Sequence, residues 1–418
     1  MEYGLIGNPL KHSFSKEIHS LISNYTYDLR ELNENEFNIF MEEKKFNGIN
    51  VTIPYKQKVI PYLDLIDNDA KNINAVNTII NRNGKLKGYN TDVLGVLSTF
   101  SYFDMDIKNK NVLILGTGAT SNTLFYALKQ SGVKKIYKSY RNSSKVKGDI
   151  LYNEVNKLYN EIDIIINATS NGMFPHNNDS ELVNISSFNN LSAVMDVIYN
   201  PLRSKILQIA ENNNIKSISG LYMLVAQAVF ASMIFTGVDI KNTNSINDTV
   251  EKIYKKCLLD KQNIVLTGMP TSGKSTIGKK ISEKYNYEFI DTDELIENKI
   301  NMPISNYIEL YGEEKFRNIE SQTISEISHK NHSVISTGGG VILKPINILN
   351  LKYNGKIFFI NKPLDKLKPS PKRPLTSDFE KLATRYTERL PIYKKTCDVE
   401  IDGTLPDNDE ITNIINQL

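Results

Sequence analysis

Two short loops in this sequence carry the residue types from which nucleotide sites are built. The first, from Gly268 to Ser275, reads GMPTSGKS and lies between an apolar run and a helical pattern. Its glycines let the backbone curl so that N–H groups face phosphate oxygens, while Lys274 neutralises charge and Ser275 reaches Mg²⁺. We therefore predict that Gly268, Gly273, Lys274 and Ser275 bind ATP and Mg²⁺.

The second loop, from Gly116 to Ser121, reads GTGATS and contains two of the three glycines of a dinucleotide fingerprint. These glycines permit a tight turn and the close approach of a pyrophosphate to a helix N-terminus. The next predicted strand ends in Arg141, without the carboxylate that an NAD enzyme uses for its ribose. The pattern favours NADP(H), and a plain strand–helix turn is the alternative. The predicted cofactor residues are Gly116, Gly118, Ala119, Thr120, Ser121 and Arg141.

Two carboxylates, Asp291 and Asp293, follow a short predicted strand at residues 288–290. Phosphate-loop folds place their chemistry at the carboxyl ends of strands. One carboxylate could therefore hold the metal and the other a substrate hydroxyl. The alternative is a solvent-exposed acidic N-cap of the next helix.

Alternating strand and helix patterns position both loops. An apolar run at Asn111–Leu115 and a second strand candidate at Lys135–Tyr140 flank a helical pattern at Ala119–Gln130, which predicts a βαβ unit. Further apolar runs at Ile162–Ile166 and Ala193–Val197 extend this unit to a parallel sheet with helices on both faces. A second strand and helix, Ile264–Thr267 and Lys274–Lys284, flank the phosphate loop.

The composition excludes several classes of protein. A length of 418 residues suggests two to three domains, and a net charge of +3 with interspersed signs lacks the positive face of a nucleic-acid binder. The apolar run from Tyr222 to Phe235 is too short to cross a bilayer and predicts a buried helix. Cys257 and Cys397 are too few for a disulfide framework. We expect small-molecule partners, neither nucleic acid nor membrane, and a cytoplasmic location; the oligomeric state stays open.

Five motifs accompany the phosphate loop: DTD at 291–293, GEEKFR at 312–317, TGGG at 337–340, RPL at 373–375 and RLPIY at 389–393. Together they resemble shikimate kinase over residues 262–418. The resemblance implies that Arg317 and Arg389 bind the substrate carboxylate, which suits the paired donors of a guanidinium. It implies that Asp293 holds the 3-hydroxyl and acts as a base, and that Asp291 supports Mg²⁺ through water. It also assigns Gly338, Gly339 and Gly340 to the shikimate pocket, Arg373 to the transferring phosphate, and Ser272 and Thr276 to the nucleotide.

The N-terminal part contains GNPLKHSFS at 7–15, NVTIPYK at 50–56, AVNT at 75–78 and NTD at 90–92, and later NATSNG at 167–172, DVIYNP at 196–201 and GLYMLVAQ at 220–227. This set resembles shikimate dehydrogenase up to about residue 256. The resemblance implies that Ser13 and Ser15 hold the substrate carboxylate and that Lys56 and Asp92 carry the proton chemistry. It further assigns Thr52, Asn77, Gln227 and Tyr199 to the substrate, and Thr169, Gly220 and Met223 to the cofactor.

The resemblance to a dehydrogenase implies the reduction of a ketone by a hydride, and a lysine suits this reaction for a direct chemical reason. Hydride arriving at a ketone carbon leaves an alkoxide, and the ammonium of Lys56 can both stabilise that charge and supply a proton. Asp92 would orient this ammonium and a neighbouring hydroxyl.

The chain as a whole resembles a shikimate dehydrogenase fused to a shikimate kinase. It would reduce 3-dehydroshikimate to shikimate with NADPH and then phosphorylate shikimate with MgATP. A quinate-reducing relative that uses NAD, and a ligand-sensing regulator without turnover, are the alternatives. The predicted fold is α/β, with a substrate domain at 1–98, a Rossmann-like NADP domain at 99–238, a helix and linker at 239–261, and a P-loop kinase with a parallel sheet at 262–418.

Overall fold

The computed structural model describes residues 1–10, 13–140, 150–177, 179–238, 243–369 and 378–418. They form two compact units, of which the first contains two sheets and the second contains one. The first unit comprises Met1–Asn200 and Ser204–Cys257, and the second comprises Pro201–Arg203 and Leu258–Leu418. Among the described helices, none is both long and apolar enough to span a bilayer.

The N-terminal sheet is mixed and gathers its connecting loops at one edge. Its elements are β1 (Tyr3–Gly7), α1 (Ser15–Ile22), β2 (Tyr27–Glu31), α2 (Glu34–Glu43), β3 (Gly48–Val51), β4 (Leu65–Ile66), α3 (Asn68–Ile73), β5 (Thr78–Arg82) and β6 (Lys85–Tyr89). The strand order is β2-β1-β3-β5-β6-β4, with β1 parallel to β3 and β5 antiparallel to both its neighbours. The loops after β1, β3 and β6 and the residue before β5 therefore meet at one edge.

The second sheet is parallel throughout, as predicted. Its elements, with the helices around it, are α4 (Asp92–Tyr102), β7 (Asn111–Leu115), α5 (Ala119–Gln130), β8 (Lys135–Tyr140), β9 (Ile150–Leu151), β10 (Ile164–Asn167), β11 (Ala193–Asp196), α6 (Lys205–Asn212), β12 (Lys216–Ile218), α7 (Leu221–Thr236) and α8 (Thr243–Lys261). The order is β12-β11-β10-β7-β8-β9. Along β7, Val112 and Ile114 face one hydrophobic core and Leu113 and Leu115 face another, so both faces of the sheet are covered.

Helices α4 and α7 tie the two sheets of the first unit together. A Cβ atom on Gly95 of α4 would lie 2.8 Å from the carbonyl oxygen of Met223 on α7, so only glycine allows this close approach. Helix α4 runs through residue 98, where the first domain boundary was predicted. Helix α8 packs on the same layer through buried Val250 and Ile253 and through Tyr254, whose ring lies 5.2 Å from that of Tyr222.

The second unit has one parallel sheet in the order β14-β15-β13-β16-β17. The register aligns Asp291, the last residue of β14, with Ser336 of β15. The loops that follow these strands therefore share one edge of the sheet. The elements are β13 (Asn263–Thr267), α9 (Lys274–Tyr285), β14 (Glu288–Asp291), α10 (Thr292–Ile300), α11 (Ile304–Tyr311), α12 (Glu313–Ile327), β15 (Ser333–Ser336), α13 (Pro345–Lys352), β16 (Gly355–Asn361), α14 (Phe379–Thr396), β17 (Val399–Asp402) and α15 (Asp407–Asn416).

Candidate active sites

The centre of the first site is an ion pair between Lys56 and Asp92. Lys56 follows β3 and Asp92 begins α4, and the Lys56 ammonium donates to Asp92 Oδ2 at 2.7 Å. The two side chains are 15% and 10% exposed, respectively. Since the pair remains partly open to solvent, a ligand can reach the ammonium while the carboxylate fixes its direction.

Asn77 orients the carboxylate of this pair. Its amide nitrogen donates to Asp92 Oδ1 at 2.8 Å, and its oxygen accepts from the backbone N–H of Thr91 at 2.7 Å. The same amide nitrogen lies 3.4 Å from Gln227 Oε1 on α7. Because Asn77 is only 3% exposed, its donors and acceptors are committed to this network. The structure thereby brings Asn77, Asp92 and Gln227 together.

The two serines predicted to hold a carboxylate lie at the start of α1. Ser13 Oγ is 3.1 Å from Ser15 Oγ and also accepts from the Ser15 backbone N–H at 3.2 Å. Between them, Phe14 packs against Tyr199 with ring centroids 5.1 Å apart. Burial raises the pKa of Tyr199 to about 12, so its hydroxyl stays neutral. Thr52 is half-buried, and its backbone N–H donates to Ile6. Among the described residues, neither serine is hydrogen-bonded to the Lys56–Asp92 pair.

The dinucleotide loop leads directly into α5. Gly116 has φ +106°, and a Cβ there would lie 2.8 Å from the methyl group of Thr169. Gly118 opens onto free space, Ala119 and Thr120 are half-buried, and Ser121 is fully buried. The helix N-terminus therefore presents its N–H groups beside an open glycine, which fits a pyrophosphate. Gly220 precedes α7, Met223 is buried in its first turn, and Arg141 lies outside the described residues.

Two residues that the sequence motifs did not assign hold the neighbouring loops. Asn167, at the end of β10, accepts from the N–H and the hydroxyl of Thr169 at 3.1 and 2.7 Å. Its amide donates to Asp196 at 3.0 Å, and Asp196 also accepts from the Ile198 N–H and the Ser204 hydroxyl. Burial raises the pKa of Asp196 to about 7. A polar residue ending an apolar strand was the available signal for both.

The phosphate loop of the second unit encloses its own lysine. Lys274 is 7% exposed, and its ammonium donates to the carbonyl oxygens of Gly268 and Met269 at 3.0 and 2.9 Å. Gly273 has φ +104° and lies directly before α9. Ser272 is buried, and its hydroxyl has no hydrogen-bond partner among the residues described. A curled loop with a central ammonium at a helix N-terminus fits the phosphates of a nucleotide.

Oxygen donors suitable for Mg²⁺ lie beside this loop. Ser275 Oγ is 2.7 Å from Asp291 Oδ2 and 3.0 Å from Ser336 Oγ. Asp291 Oδ1 also accepts from the backbone N–H of Asp293 and caps α10. The helix-cap interpretation and the metal interpretation of Asp291 therefore use different oxygens and are compatible. Hydroxyl and carboxylate oxygens are the ligands that Mg²⁺ prefers.

A cavity of about 650 Å³ brings together most residues assigned by the resemblance to shikimate kinase. Arg317 pairs with Glu313 at 2.8 Å and with Glu320 at 3.0 Å, and Arg389 donates to the carbonyl oxygen of Gly339 at 3.0 Å. The cavity is lined among others by Ser275, Asp291, Asp293, Arg317, Gly338, Gly339, Gly340 and Arg389.

Glu320 is a cavity residue that the sequence motifs did not reveal. It is 1% exposed, and burial raises the pKa of its carboxyl although Arg317 lies beside it. Its spacing of three residues from Arg317 on α12 was the available signal. Two glycines complete this wall: a Cβ on Gly338 would lie 2.5 Å from Asp293 Oδ1, and a Cβ on Gly340 would lie 2.3 Å from the Arg317 guanidinium. Thr276 is exposed on α9, and Arg373 lies outside the described residues.

Two family models match this chain. Residues 5–79 match the family model of the shikimate dehydrogenase substrate binding domain, and residues 270–418 match that of shikimate kinase. A shikimate dehydrogenase (NADP(+)) of Caldanaerobacter subterraneus is 38% identical over 262 residues, which cover 56% of this chain and 91% of the relative.

Two solved structures resemble the N-terminal part of the chain. Shikimate dehydrogenase 1 of Peptoclostridium difficile is 34% identical with a TM-score of 0.55, covering 62% of this chain and 98% of its own. A chorismate mutase/shikimate 5-dehydrogenase fusion protein of Clostridium acetobutylicum is 34% identical with a TM-score of 0.56, and the match covers 61% of this chain and 96% of that protein. The ion pair of the first unit and the arginine-lined cavity of the second thus occur in a chain that belongs to the shikimate dehydrogenase family and continues into a shikimate kinase domain.

Proposed function

We propose that this chain catalyses two consecutive reactions of the shikimate pathway. The first unit reduces 3-dehydroshikimate to shikimate with NADPH, and the second phosphorylates shikimate to shikimate 3-phosphate with MgATP. The family matches of both parts support these activities. The product of the first reaction is the substrate of the second.

In the first reaction, NADPH supplies a hydride to the ketone carbon of the substrate. The ammonium of Lys56 faces the oxygen on which negative charge develops, stabilises that charge and gives it a proton. Asp92, 2.7 Å from the ammonium, holds it in place, and Asn77 holds Asp92. Lys56 then takes up a new proton from solvent, to which its side chain is partly exposed.

The remaining residues of the first site would orient the ring. Ser13 and Ser15, with hydroxyls 3.1 Å apart, are spaced to donate to the two oxygens of one carboxylate. Thr52, Gln227 and the neutral hydroxyl of Tyr199 add hydrogen bonds or wall contacts. Gly116, Gly118 and the N-terminus of α5 would bind the cofactor phosphates, with Ala119, Thr120, Ser121, Thr169, Gly220, Met223 and Arg141 as further proposed cofactor residues.

In the second reaction, ATP supplies the phosphoryl group to the 3-hydroxyl. Asp293 accepts the hydroxyl proton as the new O–P bond forms and the bond to ADP breaks. Arg317 and Arg389 bind the shikimate carboxylate, and Lys274 offsets the phosphate charge. Ser275 and Asp291 would hold Mg²⁺. Gly338, Gly339 and Gly340 line the pocket. Ser272 and Thr276 are further proposed nucleotide residues, and Arg373 is proposed to act on the transferring phosphate.

One observation carries the kinase assignment. The cavity of the second unit joins Ser275 and Asp291 at the phosphate loop to Arg317, Arg389 and Asp293. Two guanidinium groups and a carboxylate beside a nucleotide loop fit an anionic substrate that has a reacting hydroxyl.

The proposed domain boundaries are residues 1–98, 99–238, 239–261 and 262–418. We place both reactions in the cytoplasm, because a chain with only two cysteines, Cys257 and Cys397, does not depend on a disulfide framework.

The full chain incubated with 3-dehydroshikimate, NADPH and MgATP tests this function directly. The absorbance of NADPH should fall as ADP and shikimate 3-phosphate accumulate. Omission of 3-dehydroshikimate should stop both signals, and added shikimate should restore only ADP release. Quinate and NAD, compared by kcat/KM, serve as the competing substrate and cofactor. A chain that consumes NADPH without forming shikimate 3-phosphate would contradict the kinase assignment.

A further inference from the structure

Thr271 adopts an unusual backbone conformation in the phosphate loop. Its φ is +65°, between Gly268 at +147° and Gly273 at +104°. A β-branched residue is rare in this left-handed region because its Cβ approaches the neighbouring carbonyl. Glycine would adopt the conformation without strain, so a threonine here requires a compensating interaction.

The hydroxyl of Thr271 supplies that interaction. It donates to the carbonyl oxygen of Lys368 at 3.1 Å, and the backbone N–H of Lys368 lies 3.2 Å from the same hydroxyl oxygen. One side chain thus pairs with both backbone groups of one residue 97 positions later. We call this arrangement the Thr271–Lys368 clasp.

The clasp joins the phosphate loop to the segment that follows β16. This segment forms a 3-10 turn at Leu364–Lys366 and continues through Leu367 to Lys368. Leu367 is 4% exposed and belongs to the same hydrophobic core as Met269 of the phosphate loop. The segment is therefore anchored twice, by Leu367 in the core and by the Lys368 backbone on the loop.

We propose that Thr271 is a positioning residue for nucleotide binding, which acts by holding the backbone of residues 364–368 against the phosphate loop before MgATP arrives. This inference rests on the proposed kinase function. A segment that is already held against the phosphate loop spares the nucleotide the entropic cost of ordering it. The clasp should therefore strengthen MgATP binding and have little effect on the binding of shikimate, whose carboxylate is assigned to Arg317 and Arg389.

Three substitutions separate the clasp from the strain. Thr271→Val keeps the β-branch and removes the hydroxyl, so the strain remains without the clasp. Thr271→Gly removes both. Thr271→Ser keeps the hydroxyl. We expect the Kd of MgATP to increase on the order of five- to tenfold in the Val variant, less in the Gly variant, and little in the Ser variant.

The experiment uses the full chain and titration calorimetry with a magnesium complex of a non-hydrolysable ATP analogue, followed by KM values for ATP and shikimate. The KM of ATP should increase from the Ser variant to the Gly variant to the Val variant, while the KM of shikimate stays constant. Hydrogen exchange at the peptide that contains Lys368 should speed up in the Val and Gly variants. Thr412→Val, which removes an exposed hydroxyl bonded within α15, is the matched control.

The proposed role of Thr271 can be overturned in several ways. A Gly variant that binds the analogue as tightly as the wild type would overturn it, because the shape of the phosphate loop alone would then suffice for nucleotide binding. Equal increases in both KM values would also overturn it. A wild-type chain that fails to bind MgATP would overturn the proposed kinase function and the clasp together, whereas tight wild-type binding with an unaffected Val variant would overturn the clasp alone.

Discussion

Lys56 Nζ and Asp92 Oδ2 lie 2.7 Å apart, although one residue follows β3 and the other begins α4. Because Lys56 is the proposed proton donor, Lys56→Met should lower kcat for the reduction by about 10²- to 10⁴-fold. Phosphorylation of added shikimate should continue at the wild-type rate. Both activities are measured on one preparation.

Two further lysine substitutions control this result. Lys58→Met removes an exposed lysine that pairs with Glu34, and it should leave the reduction intact. Lys274→Met should abolish phosphorylation and spare the reduction. Loss of both activities from a single substitution would show that the two units do not work independently.

The buried carboxylate of Glu320 should control the affinity for shikimate. Glu320→Gln removes one of the two carboxylates that hold Arg317, so the guanidinium loses its fixed direction. We expect the KM of shikimate to rise by about tenfold, since one charge-assisted hydrogen bond of this kind is lost. The KM of ATP should change little. Steady-state kinetics with each substrate varied in turn provides the measurement.

Glu326→Gln is the matched control for this substitution, because Glu326 lies on the same helix, is exposed and pairs with Lys299. It should change neither KM. An equal rise in the KM of ATP and shikimate in Glu320→Gln would argue against a specific role in the carboxylate pocket.

The two glycines of the dinucleotide loop should respond differently to alanine. At Gly118 no atom lies within 4 Å of an added Cβ and φ is −75°, so Gly118→Ala should fold normally. Its methyl group would occupy the space where a pyrophosphate approaches, and the KM of NADPH should rise by about tenfold or more. If the Michaelis constant for the ketone substrate rose instead, the cofactor would have to bind elsewhere.

Gly116→Ala should instead reduce stability, because φ is +106° and the added methyl would lie 2.8 Å from Thr169. We expect a loss of about 1–3 kcal/mol in the free energy of unfolding. Thermal melting of the two alanine variants side by side distinguishes the stability effect from the cofactor effect.

The buried carboxyl of Asp196 should make the first unit less stable as pH rises. Burial raises its pKa from 3.8 to about 7, so the unfolded chain loses this proton at a lower pH than the folded chain does. The contribution of this carboxyl to the free energy of unfolding is therefore complete below about pH 4. It falls as the pH rises to about 7, by at most about 1.4 kcal/mol per pH unit. Asp196→Asn cannot lose a proton and escapes this decline.

The melting temperature of Asp196→Asn minus that of the wild type should therefore increase between about pH 4 and pH 7 and level off above it. Other titrating groups cancel in this difference. A difference that stays constant with pH would show that Asp196 keeps the same protonation state in the folded and unfolded chain.

Much of the second sheet could be predicted because β7, β10 and β11 are short, largely apolar runs. The bounds of β7, α5 and β8 match the predicted ones, since Gly116 and Gly132 end the apolar patterns sharply. The N-terminal sheet was harder. Its strands β5 and β6 carry polar residues such as Asn81 and Lys87, so neither strand is a long apolar run that the sequence pattern could reveal.

Motifs and chemistry allowed several site residues to be predicted, but not the network that holds them. The resemblance to the two families, carried by local motifs, indicated Lys56 and Asp92 for the first site and Arg317 and Arg389 for the second. Gln227 meets Asn77 only because Gly95 lets α7 approach α4, and such a contact across 150 positions has no local pattern. Glu320 and Asp196 are buried carboxylates, and burial depends on the tertiary fold.

Helix α4 has a consequence for exchanging parts between related enzymes. It starts with Asp92 of the proposed substrate site, carries Gly95 against α7 and ends at Tyr102, so a chimera joined at residue 98 would cut it in the middle. A workable crossover would lie in the connection at residues 103–110, before β7. The donor would also have to supply an α7 whose surface accepts a glycine-sized neighbour, which limits recombination to parents that share both helices.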